Sequence, residues 1–199
     1  MTAHLLDPLL ALMRRAFSTP PRSQAAAEEA RRVLAALPAP GTAQEPPLIA
    51  SEHGLLAAIP AALASLSSEW QDTLAPLAAR LPWRYSYAPR PDAPGLASRM
   101  GWAELVGPAA PIHSDLVGFG LTLISRGTYY PPHSHPAVEL YRVLAGTSEW
   151  TLGGETHLRQ AGDFILHPAD AIHAMRALDA PLLAIYSWSG DIISPTAYV

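Results

Sequence analysis

The stretch that decides the fold is residues 127–146, which read GTYYPPHSHPAVELYRVLAG. A glycine stands at each end, and between the two glycines lie His133, His135 and Glu139. Imidazole nitrogens and carboxylate oxygens together make a ligand set that suits divalent transition metals. Because two histidines and a carboxylate fall close together, we expect this stretch to hold most of a metal site.

A second stretch, residues 162–173, reads GDFILHPADAIH and ends on His173. A glycine again opens the segment, and Pro168 and Asp170 precede the histidine. Gly, Pro and Asp favour turns and therefore bound strands. We expect this third histidine to reach the site from a separate strand. The alternative is that the histidines are scattered over the surface, and the two complete patterns disfavour it.

Four candidate side chains share sequence parity: His133, His135, Glu139 and Tyr141. Successive side chains of a β-strand point to opposite faces, so residues of equal parity lie on one face. We expect that face to be the inside of a barrel, although Pro136 interrupts the alternation. The expected cofactor is one divalent ion, Fe, Zn, Mn, Co or Ni, since spacing does not choose among these metals.

The composition limits what the chain can be. Its 199 residues suffice for one domain with an extension, and 49% of them are hydrophobic. The formal net charge of −4 argues against a nucleic-acid binder, which would show a basic surface. The absence of cysteine excludes disulfides and thiolate nucleophiles. There is no membrane-length apolar run and no signal-peptide pattern, so we expect a cytoplasmic protein.

The sequence before about residue 90 predicts helices. Apolar residues recur at steps of three and four near the N-terminus. A second helix is expected over 25–37, with Ser23 as its N-cap, and a proline-rich connector follows to about Pro47. A third helical region covers roughly 52–81 and is expected to break at its two prolines.

From about residue 99 the pattern predicts strands. The apolar runs expected to form them are 117–125, 140–152, 164–166 and 182–188. The adjacent glycines Gly153 and Gly154 have the composition of a hairpin turn. Short strands at this spacing indicate a small barrel or a double-sheet jelly roll. We predict a mainly β protein in which a helical region, residues 1–95, packs on or caps a barrel formed by residues 96–199.

The two stretches match the two motifs of the cupin superfamily, which the chain resembles. The first motif fits at every defining position. The second departs at Asp170, where the family usually has Gly, and at Ala177, where it often has Asn. Asp tolerates the positive φ of such a turn, and the Asn is not a ligand. The resemblance implies a cupin β-barrel, or double-stranded jelly roll. The metal ligands that it implies are His133, His135, Glu139 and His173. A cupin without a metal is disfavoured, because all ligand types are present.

Within the cupins, the chain is similar to the DddQ-type dimethylsulfoniopropionate (DMSP) lyases. The similarity rests on residues 130–141 (YPPHSHPAVELY), on His173 and Trp188, and on a helical region before the barrel. The resemblance implies a metal-dependent carbon–sulfur lyase. Such an enzyme removes a proton from the carbon beside the DMSP carboxylate, releases dimethyl sulfide and leaves acrylate.

The same resemblance implies roles for individual residues. Tyr141 is implied as the general base and also as a metal ligand, with His133 then displaced or loosely bound. Tyr130 and His133 are implied to orient the substrate carboxylate. Trp188 is implied to bind the sulfonium by cation–π attraction. Further candidates for that role are Tyr186 and Tyr129. The alternative for Tyr141 and Trp188 is an ordinary place in the barrel core.

The remaining histidines are expected to be solvated or hydrogen-bonded and not catalytic. They are His4, His53, His113 and His157. His167 directly precedes Pro168 near the expected rim of the barrel, and the sequence leaves its role open between a structural and a functional one.

Two other functions stay open from the sequence alone. One is a different metal-dependent cupin enzyme, a dioxygenase or a lyase acting on another small carboxylate. The other is a ligand-sensing cupin, which would need a basic DNA-binding region. Residues 1–90 contain no lysine and only scattered arginines, so this reading ranks last. We expect a small-molecule substrate, no nucleic-acid or membrane partner, and a monomer or homodimer.

Overall fold

The computed structural model describes residues 5–39, 41 and 51–199. The helices, in chain order, are α1 Asp7–Ser18, α2 Gln24–Ala36, a 3-10 helix Gly54–Ala58, α3 Ile59–Leu63, α4 Ser68–Ala78 and α5 Leu96–Arg99. The connector predicted to run to about Pro47 lies mostly outside the described residues. Within the described ranges, every helix is too short or too polar to cross a membrane.

The helix boundaries follow the signals in the sequence. Ser23 caps α2 as predicted, and its side-chain oxygen accepts the N–H of Ala26 at 3.5 Å. The third helical region is broken into the 3-10 helix, α3 and α4. Pro60 lies in the first turn of α3, where its missing N–H has no partner to lose. Pro76 lies inside α4, which ends shortly afterwards at Ala78.

The strands form two facing sheets. In chain order they are β1 Trp83–Arg84, β2 Met100–Gly107, β3 Ile112–His113, β4 Val117–Ile124, β5 Tyr129–Ser134, β6 Ala137–Ala145, β7 Thr147–Leu152, β8 Glu155–Gln160, β9 Phe164–His167, β10 His173–Ala177, β11 Leu182–Gly190 and β12 Ala197–Tyr198. The seven-stranded sheet has the order β1-β2-β4-β11-β6-β9, with β3 beside β2. The five-stranded sheet has the order β12-β5-β10-β7-β8. Together they make the double-stranded jelly roll that the sequence predicts.

One expected strand is in fact two strands. The sequence predicted a single strand over 140–152, but β6 ends at Ala145 and β7 begins at Thr147. The intervening Gly146 has a φ of +83°, and a Cβ there would lie 2.3 Å from the carbonyl oxygen of Pro181. Because glycine avoids both the strain and the clash, the chain can bend here and pass from the seven-stranded sheet to the five-stranded one.

Two turns behave as their sequences indicate. Gly153 and Gly154 have φ values of +58° and +88° and join β7 to β8, as a tight hairpin turn requires. Asp170 has a φ of +60°, so it adopts the conformation that glycine usually supplies at this motif position. Its N–H donates to the carbonyl oxygen of His135 at 2.8 Å. This hydrogen bond ties the second motif to the first.

The helices cover the outer face of the seven-stranded sheet. Phe17 of α1 packs edge-on against Phe119 of β4, with ring centroids 5.2 Å apart, and against Phe164 of β9 at 5.7 Å. Helical and strand residues share one apolar core here. Strand β1 precedes the predicted boundary at residue 95 and pairs with β2, so it belongs to the same sheet as the barrel strands.

The inner face of β4 is open where two glycines replace side chains. Gly118 lies opposite Trp188 of β11, and Gly120 lies opposite Tyr186. A Cβ at Gly120 would lie 2.2 Å from the carbonyl oxygen of Ala103 and 2.9 Å from the Tyr186 ring. The missing side chains therefore leave room for both aromatic rings inside the barrel.

Candidate metal centre and adjoining pocket

Four buried side chains converge inside the barrel: His135, Glu139, His167 and His173. One nitrogen or oxygen atom of each lies within 4.8 Å of the others. The four come from the turn between β5 and β6, from β6, from the end of β9 and from the start of β10. Both sheets thus contribute to the cluster, which joins three of the predicted ligands with the histidine whose role the sequence left open.

The three histidines of the two motifs share one hydrogen-bonding device. In each, Nδ1 bonds the backbone carbonyl of a residue two positions away, at 2.8 Å for His133, 2.9 Å for His135 and 2.8 Å for His173. A carbonyl only accepts, so each Nδ1 carries the proton. A neutral imidazole then has its lone pair on Nε2, which is the atom that a metal requires.

Glu139 lies at the middle of the cluster. Its Oε2 lies 3.1 Å from Nε2 of His135, 2.9 Å from Nδ1 of His167 and 3.5 Å from Nε2 of His173. Its Oε1 accepts the indole N–H of Trp188 at 2.8 Å. Burial disfavours the charged carboxylate, but His135 and His167 outweigh this effect and hold the pKa of Glu139 well below its ordinary range.

These residues fit a divalent transition metal. Nε2 of His173 is buried and has no hydrogen-bond partner, and burial together with neighbouring imidazoles lowers the pKa of this histidine to about 2. Burial also acts to lower the pKa of His135, but Glu139 outweighs it and the net pKa is raised. A proton on Nε2 of His135 can therefore bridge to the carboxylate. A divalent cation would replace such a proton, and His135 and Glu139 would then help to hold it.

His133 lies at the edge of the cluster and outside the four converging groups. It pairs with His173 across β5 and β10, and the two rings are 4.0 Å apart. Its other face stacks on Tyr130 at 3.9 Å. Burial lowers the pKa of His133 to about 4, so its ring is neutral near pH 7. The structure thus places His133 between the metal cluster and a pocket wall.

A cavity of about 390 Å³ opens beside the cluster. Among its lining residues are Tyr130, His133, Tyr141, Tyr186 and Trp188. Of the two neighbouring tyrosines on β5, Tyr130 is buried whereas Tyr129 is 38% exposed. Tyr129 lies instead under the guanidinium of Arg176, at 4.5 Å from its ring centroid.

Tyr141 is buried two positions after Glu139 on β6 and lines the cavity. Thr122 and Glu139 both lie beside its hydroxyl. Burial and the nearby carboxylate raise the pKa of Tyr141 well above its ordinary range, while Thr122 acts in the opposite sense. A phenolate at this position therefore depends on positive charge close by, such as a metal ion in the cluster would provide.

The chain matches the family model of dimethylsulfoniopropionate lyase over residues 25–184, which is well over half of its length. The chain belongs to the DMSP lyase family.

Two curated relatives in this family match part of the chain. DMSP lyase DddQ of Ruegeria pomeroyi is 34% identical over 111 residues, which is 55% of each chain. A putative DMSP lyase, DddL of Cereibacter sphaeroides, is 34% identical over 120 residues, 59% of this chain and 50% of that protein. The chain spans about half the length of these curated relatives.

Solved structures match the fold over nearly the whole chain. One chain from the crystal structures of the DMSP lyases RdDddP and RnDddQII superposes with a TM-score of 0.80, at 23% identity, and 98% and 97% of the two chains are covered. The crystal structure of DMSP lyase DddQ from Ruegeria pomeroyi gives a TM-score of 0.74 at 25% identity, with 98% and 96% covered. The predicted cupin barrel with a helical N-terminal region is confirmed.

The sequence left the role of His167 open and gave no role to Trp150, and the structure places both beside Glu139 or its partners. His167 lies directly opposite Glu139 in the pairing of β9 with β6. Trp150 of β7 donates its indole N–H to His167 Nε2 at 2.8 Å. Both residues reach the site through strand register, which pairs residues that are far apart in the sequence. No local sequence pattern indicates such a pairing.

The other histidines lie apart from the centre. His53 accepts the N–H of Leu55 and caps the 3-10 helix. His113 and His157 are exposed and lie beside carboxylates. His4 falls outside the described residues.

Proposed function

We propose that this chain is a metal-dependent lyase that converts DMSP to dimethyl sulfide and acrylate. The observation that carries the proposal is the adjacency of Tyr141 and Glu139 on β6, where a buried tyrosine, a metal cluster and an aromatic cavity meet. Family membership supports the same chemistry. In this β-elimination, the proton leaves the carbon beside the carboxylate, the C–S electron pair departs with the sulfur, and a C=C bond forms.

The metal ligands we propose are His135, Glu139 and His173, with His133 or Tyr141 completing the set. The three histidines present Nε2 lone pairs, because their Nδ1 protons are held by backbone carbonyls. When bound, the ion supplies Lewis-acid stabilisation of the negative charge that develops on the substrate carboxylate. The donor set suits Fe, Zn, Mn, Co and Ni alike.

Tyr141 is the proposed general base. Thr122 lies beside its oxygen and acts to lower its pKa, and the tyrosine stands at the cavity wall where substrate must bind. As a base it takes the proton that the substrate loses and becomes a neutral phenol. Its buried surroundings keep water away from the phenolate oxygen.

Tyr130 and His133 are proposed to orient the substrate carboxylate. Their rings stack at 3.9 Å and form one wall of the cavity next to the metal cluster. Tyr130 also packs near Tyr87, whose hydroxyl donates to Thr196 at 3.0 Å. This chain of contacts fixes the tyrosine ring against rotation.

Trp188 and Tyr186 are proposed to hold the dimethylsulfonium group. Both line the cavity, and they stand opposite Gly118 and Gly120 of β4. A cation over such rings gains about 0.5–2 kcal/mol, and more of this when water is excluded. Trp188 is also fixed by its hydrogen bond to Glu139 at 2.8 Å.

Headspace gas chromatography of metal-loaded protein with DMSP tests this function. We expect dimethyl sulfide from the unaltered chain. Tyr141→Phe should lower turnover by about 10²–10⁴-fold, because the proton acceptor is lost. His173→Ala should lose bound metal and activity together. The matched control is Tyr129→Phe, since Tyr129 lies outside the cavity, and it should retain activity.

The same assay separates the alternatives. If none of Fe, Mn, Co, Ni or Zn supports release of dimethyl sulfide, DMSP is not the substrate. Oxygen consumption with another small carboxylate would then favour a dioxygenase. The monomeric or homodimeric state and the cytoplasmic location stay predictions from the sequence, and light scattering and cell fractionation measure them.

A further inference from the structure

Judged by distance alone, His167 would count as a metal ligand. It is fully buried, and its Nδ1 lies 2.9 Å from Oε2 of Glu139. Its ring also packs on that of His173, with centroids 3.8 Å apart. A count of nearby nitrogens would therefore include it in the coordination sphere. The direction of its hydrogen bonds leads to a different role.

The deciding contact is on the far side of the ring. The indole Nε1–H of Trp150 points at Nε2 of His167 at 2.8 Å. An indole N–H can only donate, so His167 Nε2 must offer its lone pair. In a neutral imidazole the single proton is then on Nδ1. That Nδ1 faces Glu139, so its N–H donates to the carboxylate and has no lone pair for a metal.

The three motif histidines provide an internal comparison. All of them also carry the proton on Nδ1, but they direct it to backbone carbonyls and turn Nε2 toward the centre. His167 is inverted, with its protonated nitrogen toward the centre and its lone pair toward Trp150. The same tautomer thus makes three histidines fit to coordinate and makes the fourth a hydrogen-bond donor.

We propose that His167 is a positioning residue that orients Glu139 by an Nδ1–H hydrogen bond, with its tautomer fixed by Trp150, and that it does not bind the metal. The inference rests on the metal centre of the proposed function. Glu139 then has a donor on each oxygen, His167 on Oε2 and Trp188 on Oε1. Two such donors fix the plane of the carboxylate and leave further lone pairs for coordination.

Trp150 connects this device to the proposed base. It is 1% exposed, and its ring packs edge-on against Tyr141 at 5.0 Å. One tryptophan therefore positions the ring of Tyr141 by packing and the carboxylate of Glu139 through His167. Both catalytic-site elements depend on a residue that itself does not touch the cavity.

Metal affinity in three variants tests the role of His167. Zn²⁺ is the probe, in competition with a chromophoric chelator and without substrate. His167→Leu removes the donor and should weaken Zn²⁺ binding by about 10–100-fold, as loss of a positioning hydrogen bond does. His167→Asn places an amide N–H at the Nδ1 position and should restore affinity to within about threefold of the unaltered chain. His173→Asn, which removes a proposed ligand, should lose more affinity than either. A His167→Asn loss as large as that of His173→Asn would overturn the inference.

Nitrogen NMR of ¹⁵N-histidine-labelled protein, loaded with Zn²⁺, reads the tautomer directly. We expect His167 to show a protonated Nδ1 and an unprotonated Nε2, and His173 to show Nε2 bound to the metal. Trp150→Phe keeps an aromatic ring, although a smaller one, and removes the N–H, so the His167 tautomers should become mixed. An unprotonated, zinc-bound Nδ1 at His167 contradicts the proposal. Circular dichroism confirms that each variant is folded.

These measurements separate the inference from the proposed function. Zinc binding with the expected tautomer but no dimethyl sulfide would leave the role of His167 intact and reject DMSP as the substrate. Failure of the folded, unaltered chain to bind Zn²⁺ at all would reject the metal centre and the inference with it.

Discussion

The two sheets of the barrel have different environments. In the seven-stranded sheet every residue of β4 is buried, because helices cover one face and the barrel interior covers the other. In the five-stranded sheet the edge strand β8 is exposed at every position except Arg159, which is half-buried. One sheet is therefore packed on both faces at β4, whereas β7 of the other sheet alternates between exposed and buried positions from Thr147 to Trp150, as a sheet with one solvent face does.

The two sheets contribute different side chains to the candidate site. The covered sheet carries Glu139 and Tyr141, which are buried, and Trp188, which is half-buried. The sheet open to solvent carries His133 and His173, whose rings are fixed by backbone carbonyls close in sequence. His133 and His173 are as deeply buried as Glu139 and Tyr141, so the two groups differ in whether their hydrogen-bond partners are near or distant in sequence.

The largest effect should come from the core beneath the helices. Phe17→Ala removes a fully buried ring that packs on Phe119 and Phe164, and should lower the free energy of unfolding by about 3–5 kcal/mol. Leu158→Ala on β8 removes a side chain that is 66% exposed and should change it by less than about 0.5 kcal/mol. Urea denaturation measures both. Equal losses would show that the two sheets are protected alike.

Removing one hydroxyl group from each sheet should give a smaller difference in the free energy of unfolding. Ser189 of β11 donates to the buried carboxylate of Glu29 on α2. Ser189→Ala leaves that carboxylate short of a donor and should cost about 1–3 kcal/mol of unfolding free energy. Thr156→Ala breaks the exposed hydrogen bond to Thr151, 2.8 Å long, and should cost less than about 0.5 kcal/mol. Thermal and urea unfolding of both variants measure the two losses of unfolding free energy. A loss for Thr156→Ala as large as that for Ser189→Ala would show that the two sheets do not differ in this respect.

The smallest effect should be a pH dependence from the inner face of the covered sheet. Burial raises the pKa of Glu104, and Arg84, at 2.6 Å, only partly offsets it. The folded chain thus holds this proton more tightly than the unfolded chain. The resulting stabilisation is full below the unfolded pKa and is lost as pH rises through the folded pKa.

Glu104→Gln removes this titration. The unaltered chain should therefore lose unfolding free energy relative to the variant as pH rises from about 4 to about 7. Urea unfolding at several pH values measures that difference. A difference that stays flat, or that shifts in the opposite sense, would show that burial does not control this carboxyl.

Much of the fold could be predicted because its signals are local. Ser23 caps a helix, Gly153 and Gly154 form a hairpin turn, and Asp170 adopts a positive φ, each for reasons contained within a few neighbouring residues. The metal motifs belong to the same class. Their histidines bond carbonyls two positions away, so the backbone group that supports each ring is local in sequence.

The prediction was wrong at Gly146, where one expected strand is two strands in different sheets. The apolar pattern continues through the bend, and it does not report that Pro181 crowds the glycine from another part of the chain. Contacts between distant segments leave no periodic trace in the sequence.

The sequence by itself determined the barrel, its helical extension and the residue types of the metal site, because strand alternation and turn chemistry act over a few residues. Only the tertiary structure decided which histidine turns its lone pair to the centre. His167 and Trp150 are distant in sequence and meet Glu139 through the register of separate strands. A tautomer is set by its hydrogen-bond partners, and those partners come together only when the sheets have closed.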